Sequence, residues 1–127
     1  IFLSVPTTSP LRNIEDINNC LDKLESGNAD IVITVKKSDR SPYFNMVTLD
    51  EHSNARLVIN SEYYRRQDAP QVYDITTVAY AARADFILQS SNIFEGNVLT
   101  SLVPPERAID IDTQYDLELA RLIYNQS

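Results

Sequence analysis

Two glycines, Gly27 and Gly96, are all that 127 residues contain. That leaves no glycine-rich loop in which successive backbone N–H groups could cradle a phosphate chain. A single cysteine, Cys20, excludes an internal disulfide and suits a reducing cytoplasm. Its place among apolar helix positions marks it as a small core residue rather than a nucleophile. The one histidine, His52, falls in a polar hairpin tip with nothing nearby to orient it, so no general-base role is assigned to it. Neither a Ser-His-Asp nor a Cys-His set can be assembled. No apolar run approaches the ~20 residues of a membrane span, and no basic-then-apolar leader is present, so a soluble, cytoplasmic protein is expected. Basic residues are also scarce, 11 against 18 acidic for a net charge of −7. Such a chain has no field to gather polyanions, which argues against nucleic acid and anionic membranes as partners. An anionic substrate would have to be held by locally placed cations or by a metal.

What is present reads as an alternation of strands and helices, without repeats, low-complexity tracts or linkers. Ile1 to Val5 is short and apolar, as a strand covered on both faces would be, and Pro6 and Pro10 turn the chain after it. Asn13 predicts a helix start, with Glu15 and Asp16 in the first turn. Ile14, Ile17, Leu21 and Leu24 recur at helical spacing, and Gly27-Asn28 ends the run. Ala29 to Val35 returns as a strand, which implies a parallel unit with a right-handed crossover. Tyr43–Leu49 and Arg56–Ile59 then form a hairpin around residues 50–54. Val72 to Ala82 is a long β-prone run, Asp85 to Gln89 a short helix, and Asn97 to Val103 another strand. Thr113 with Asp116 predicts a capping box for a closing helix with Leu117, Ala120 and Tyr124 on one stripe.

Before that helix stands Ile109-Asp110-Ile111-Asp112-Thr113. In an extended segment both aspartates face the same way, and two carboxylates on one face suit a magnesium ion that also holds substrate phosphates. The competing reading is that Asp112 or Thr113 caps the helix.

Pro6-Thr7-Thr8-Ser9-Pro10-Leu11-Arg12, Arg65-Arg66-Gln67-Asp68, Tyr73 to Tyr80 and the Asp110–Asp112 segment, in this order, resemble the acylneuraminate cytidylyltransferases, or CMP-sialic acid synthetases. The resemblance extends over essentially all 127 residues. It implies an α/β, Rossmann-like nucleotidyltransferase fold, here a single partial domain over 1–127. Residues 38 to 70 would form a β-hairpin dimerisation arm. The N-terminal half of the family fold, with its glycine-rich basic loop, would be absent. The implied activity is transfer of CMP from CTP to the anomeric hydroxyl of a nonulosonic acid with release of pyrophosphate, inactive or very weak in this chain alone. The implied partners are CTP, the sugar acid and a second copy of the chain.

By the same resemblance Asp110 and Asp112 hold the magnesium ion. Arg65 and Arg66 clamp the sugar carboxylate, Arg66 being counted with the aspartates as catalytic, and an arginine here reaches into a neighbouring subunit's site. Tyr80 and Phe94 line the sugar pocket or serve the core, and Ser9 and Arg12 are placed to touch nucleotide or sugar, a structural ion pair being the alternative for Arg12. The chain departs from the family in carrying Thr76-Thr77 in place of an Asn-Gly pair, and Pro6 or Thr7 in place of a glutamine. An acceptor other than ordinary N-acetylneuraminic acid, such as a legionaminic or pseudaminic acid, fits that departure. Two alternatives stand beside this reading: a synthetase for CMP-3-deoxy-manno-octulosonate, and a non-catalytic dimerisation or binding fragment.

Overall fold

The first helix begins where side chains supply acceptors for its otherwise unpaired N–H groups. Asn13 accepts from the N–H of Asp16 at 3.2 Å, and the Asp16 carboxylate accepts from the N–H of Asn13 at 3.1 Å, a reciprocal capping box. In the computed structural model helix α1 then runs Ile14–Ser26. It ends at Gly27, whose N–H reaches the Lys23 carbonyl at 2.9 Å. A Cβ at that position would lie 2.7 Å from the same oxygen, so the close approach explains one of the two glycines. The structure describes residues 1–60, 62–63 and 65–126; Ser61 and Tyr64, within the expected 38–70 arm, and Ser127 lie outside the described residues.

Two compact units emerge, residues 1–36 with 75–127, and residues 37–74. The first is built on a four-stranded sheet of β1 (Phe2–Ser4), β2 (Ile31–Lys37), β5 (Tyr73–Ala82) and β6 (Val98–Leu102), in the order β1-β5-β2-β6. β1 pairs antiparallel with β5 and β2 pairs parallel with β6. The sheet is therefore mixed, and the strand-helix-strand unit expected at the start is present with β5 lying between its two strands.

This order corrects the reading of Ile1–Val5 as a strand covered on both faces. β1 is an edge strand and Ile1, Phe2, Leu3 and Val5 are exposed. The doubly covered strand is β2, buried from Ile31 to Val35 without a break. On one side Val32 meets Cys20 and Leu24 of α1 with Val78, Val103 and Ala108, and Ile17 and Leu21 pack against that cluster. On the other side Ile31, Ile33 and Val35 meet Ala82, with Tyr80, Phe86 and Ile93 packed against them. Phe86 belongs to the short helix α2 (Ala84–Gln89). Gly96 follows it at a point where a Cβ would come within 2.5 Å of the Phe86 ring and 2.7 Å of the Asp30 carboxylate. Helix α3 (Gln114–Asn125) carries the expected capping box of Thr113 and Asp116 and buries Ala120, whereas Tyr124 stays exposed. Ile14 is also exposed, at 69%, so the apolar stripe of α1 starts a turn later than its spacing predicts.

The second unit contains the hairpin of β3 (Val47–Leu49) and β4 (Ala55–Leu57), paired antiparallel with Val47 opposite Leu57. The strands are shorter than the sequence predicts. Asp50 closes the turn by accepting from the N–H groups of His52 at 2.8 Å and Asn54 at 3.0 Å, which holds its carboxyl below the usual range. Ser53 takes the left-handed conformation with φ of 65°. His52 lies exposed in that turn beside Glu51. The rings of Tyr43 and Tyr63 meet edge to face at 5.7 Å.

Burial of α1's inner face in the core raises the Cys20 thiol to about 11, so its nucleophilic thiolate is suppressed. Native protein at neutral pH is expected to leave Cys20 unmodified by a thiol reagent. Labelling should appear together with loss of helical circular dichroism in a denaturant series, and rapid labelling without denaturant would contradict this packing.

Candidate active site

The aspartate segment is fixed on both flanks, and each anchor can be traced to a side chain or an amide. Upstream, the turn Pro105–Arg107 presents Arg107 to Asp16 in the first turn of α1, with the guanidinium donating to the two carboxylate oxygens at 2.9 to 3.2 Å. Asp16 is 1% exposed, and its charge raises the Arg107 pKa, chiefly through that hydrogen bond. Ala108 then enters the core. Within the segment, the Ile111 N–H donates to the Thr8 carbonyl at 2.8 Å. Downstream, the N–H groups of Asp112 and Thr113 both donate to Asp116 at 3.0 Å, and Thr113 caps α3. The segment from Ala108 to Asp112 is not part of the sheet. The expected strand is thus an extended-loop connection, because its amides bond to Thr8 and Asp116 and not to a ladder.

Asp110 and Asp112 are nevertheless brought together. The Asp112 carboxyl is raised above its usual value, first by the charge of Asp110, then by burial and by Asp116. One carboxylate oxygen of Asp110, Oδ1, is buried with no hydrogen-bond partner. A buried acceptor without a partner calls for an explanation, and a proton on Asp112, which a side-chain hydrogen bond to Asp110 favours, would supply one. Tyr80 stands close by on β5. Burial raises its phenol pKa, and the charge of Asp110 adds to the shift, while its hydroxyl donates to the Thr76 carbonyl at 2.8 Å. Among the described residues no cluster of three or more His, Cys, Asp or Glu is placed to hold a metal.

The loop after β1 is tied to β5 by side chains that the sequence reading assigned to substrate. The Arg12 guanidinium donates to the carbonyls of Val78 at 2.7 Å, Thr77 at 3.3 Å and Pro6. Desolvation lowers its pKa and the nearby Asp16 charge opposes that shift. Ser9 is fully buried, its hydroxyl 2.6 Å from that of Thr77. Thr76 is buried as well and donates to Thr34 at 2.6 Å, whose hydroxyl also bonds the backbone of Ala79 on both its N–H and C=O. The Thr76-Thr77 pair that departs from the family pattern therefore has an internal role. The structure turns Ser9 and Arg12 toward the protein, because the prolines around them remove backbone donors and leave carbonyls to be answered by side chains.

Arg65 and Arg66 belong to the second unit. Arg65 is exposed and pairs with Asp68 at 3.4 Å, and Arg66 donates to the Asp39 carbonyl at 2.9 Å. Arg66 also lines a cavity of about 400 Å³ with Arg40, Ser38, Ser41 and Gln71. Phe94 is 62% exposed in a single 3₁₀ turn, its N–H taken by Asn92, so within this unit it does no packing work. Asp16 and Arg107 were not identified from sequence. Asp16 sits three residues after Asn13, the capping-box spacing, but nothing local points to Arg107 as its partner.

An α/β domain of this arrangement occurs in nucleotidyltransferases. The chain superimposes with a TM-score of 0.62 and 20% identity on 4-diphosphocytidyl-2C-methyl-D-erythritol synthase from Anaerococcus prevotii, over 98% of this chain and 58% of that one. No protein-family model matches. Among curated relatives, CMP-N,N'-diacetyllegionaminic acid synthase from Campylobacter jejuni is 30% identical over 94 residues, 72% of this chain and 39% of the relative. Post-translational flagellin modification protein B from Campylobacter coli is 23% identical over 98% of this chain and 53% of its own length. N-acylneuraminate cytidylyltransferase from Streptococcus agalactiae is 24% identical over 91% of this chain and 28% of its own length. The chain is related to the acylneuraminate cytidylyltransferases, and it spans about half or less of the length of these curated relatives. Among the described residues no helix is long and apolar enough to cross a membrane.

The raised Asp112 carboxyl has a consequence for stability. A carboxyl that binds its proton more tightly folded than unfolded lowers stability when it ionises, so stability falls as pH rises through the raised value. Asp112→Asn removes that cost. It is expected to melt above the wild type at pH 7, with the difference vanishing well below the ordinary carboxylate pKa of about 4. Equal melting of the two proteins at pH 7 would show that the pair carries no such tension.

Proposed function

We propose that this chain is the aspartate-bearing portion of a cytidylyltransferase that joins CMP from CTP to the anomeric hydroxyl of a nonulosonic acid, releasing pyrophosphate. The observation that carries the reading is the pair Asp110 and Asp112, held at both flanks, mutually repelling, and leaving one buried oxygen of Asp110 unanswered. Two carboxylates are a fitting donor set for magnesium, which binds through one or two of them and completes its shell with water and phosphate oxygens. Bound there, the ion would neutralise charge on the triphosphate and on the departing pyrophosphate.

The remaining steps fall to the chain and its substrates. The anomeric oxygen attacks the α-phosphorus, the bond to the bridging oxygen of pyrophosphate breaks, and the hydroxyl proton leaves to solvent or a nearby carboxylate. Such a transfer depends on positioning and electrostatics and needs no protein nucleophile. A guanidinium fork is the natural partner for the sugar carboxylate, which supports Arg65 or Arg66 in that role. Tyr80 adjoins Asp110, which supports a role for it at the border of the sugar pocket. The exposed apolar side chains Val47, Leu49, Leu57, Val58 and Ile59 of residues 37–74 support their use as a dimerisation arm, since a lone hairpin with this surface is marginal in water. The names of the relatives support a legionaminic- or sialic-type acceptor over 3-deoxy-manno-octulosonate. Serving as a non-catalytic fragment is the second reading, favoured by the internal engagement of Ser9 and Arg12.

The test is pyrophosphate release from CTP and magnesium with a panel of nonulosonic acids, comparing this chain with a version extended upstream. Activity in the longer protein, lost on Asp112→Ala, with little from this chain alone, is the expected result. No release from either protein with any sugar would leave the non-catalytic reading in its place.

A further inference from the structure

We propose that Arg107 and Asp16, 91 positions apart in the chain, are positioning residues for Asp110 and Asp112, so that the first turn of α1 sets the geometry of a divalent-cation site at that pair; the inference rests on reading the aspartate pair as that site. The interaction exceeds what folding α1 requires. Asn13 and Asp16 already complete the capping box between themselves, and the helix would be capped without Arg107. A buried ion pair is also a poor device for stability, because desolvation offsets most of the attraction, and an apolar pair of similar volume often serves as well. What a bidentate guanidinium-carboxylate contact supplies is direction, since its two parallel bonds fix orientation as well as distance.

That direction is delivered to the aspartates through a very short lever. Arg107 is the last residue of its 3₁₀ turn, Ala108 beside it is buried at 7% exposure, and Asp110 follows two residues later. On the far side the Ile111 N–H is held by Thr8 and the Asp112 N–H by Asp116. Asp110 therefore lies between two anchored points, and without the upstream one only Ala108 would restrain the approach to it. Thr8 belongs to the loop that Arg12 clamps, and Arg12 lies near enough to Asp16 to feel its charge. Partners that orient ligating side chains typically change metal affinity by 10- to 100-fold when removed.

The experiment is titration of the purified chain with Mn²⁺, read by electron paramagnetic resonance of the free ion, at a temperature where melting curves show every variant folded. Wild type is expected to bind Mn²⁺ and Asp112→Asn to lose it. Arg107→Ala and Asp16→Asn should weaken binding by roughly 10-fold or more, while Arg107→Lys, which keeps the charge but not the fork, recovers part of the loss. Wild-type affinity in both Arg107→Ala and Asp16→Asn would overturn the positioning role and leave the aspartate site standing. Wild type binding no more Mn²⁺ than Asp112→Asn would remove the aspartate site, and the proposal with it.

Discussion

A single carboxylate in the first turn of a helix constrains the rest of this domain. Asp16 is 1% exposed and answers three demands at once: the N–H of Asn13, both arms of Arg107, and the charge of Arg12 nearby. Burying one charge without these partners would be prohibitive. Removing either member of such a pair, and so stranding the other, costs about 3 to 5 kcal/mol where both are buried. The cost here lies toward the lower end, because the Arg107 side chain is 29% exposed and water can answer part of its charge. The chain segments that must converge for Asp16 to be satisfied are the start of α1, the turn before the aspartates and the loop after β1. Folding the core around Cys20 and Leu24 and assembling the candidate site are consequently not separable events.

Strand β5 supplies the second set of constraints, and it does so with polar groups in a place where apolar ones are usual. Thr76 and Thr34 are both buried; their hydroxyls bond to each other, that of Thr34 also to the backbone of Ala79 and that of Thr76 to the Val78 N–H. The carbonyls of Thr76, Thr77 and Val78 are claimed by Tyr80 and Arg12. A network in which every member is answered is rigid, since moving one group would leave another unpaired in a low-dielectric interior. Tyr80 is held by the same network that holds the loop after β1. Its closeness to Asp110 is therefore a property of the strand and does not depend on the side chain's own freedom.

Local chemistry made parts of this arrangement legible in the sequence. The starts of α1 and α3 were evident because capping is a contact between residues three apart, and the turn at residues 50–54 because Asp and Asn signal turns by their own backbone bonds. The proximity of Asp110 and Asp112 followed from alternation alone. The order of the strands did not. Ile1–Val5 and Ile31–Val35 are equally apolar, and only pairing across the chain decides that β2 is central and β1 at the edge. The internal bonds of Ser9 and Arg12 were not legible for the same reason: their partners, Thr77 and Val78, are 66 or more positions away. Arg107 carried no local signal at all.

Three aspartates within seven residues might look interchangeable on composition, yet the structure gives them opposite electrostatics. The Asp116 carboxylate accepts from the N–H groups of Asp112 and Thr113 at the start of α3 while its own N–H donates to the Thr113 hydroxyl, and its carboxyl is lowered. Its charge is spent on holding the helix and the segment before it. Asp112, four residues earlier, faces the charge of Asp110 and is raised. Neighbouring carboxyls pushed in opposite directions by their surroundings have divided their roles, one structural and one left in tension. The tension between Asp110 and Asp112 is relieved by a proton at low pH, and a cation at neutral pH would relieve it equally. Since the capping bonds and the Arg107 anchor keep the two from moving apart, the fold maintains at a local cost the repulsion that a bound divalent ion would convert into attraction.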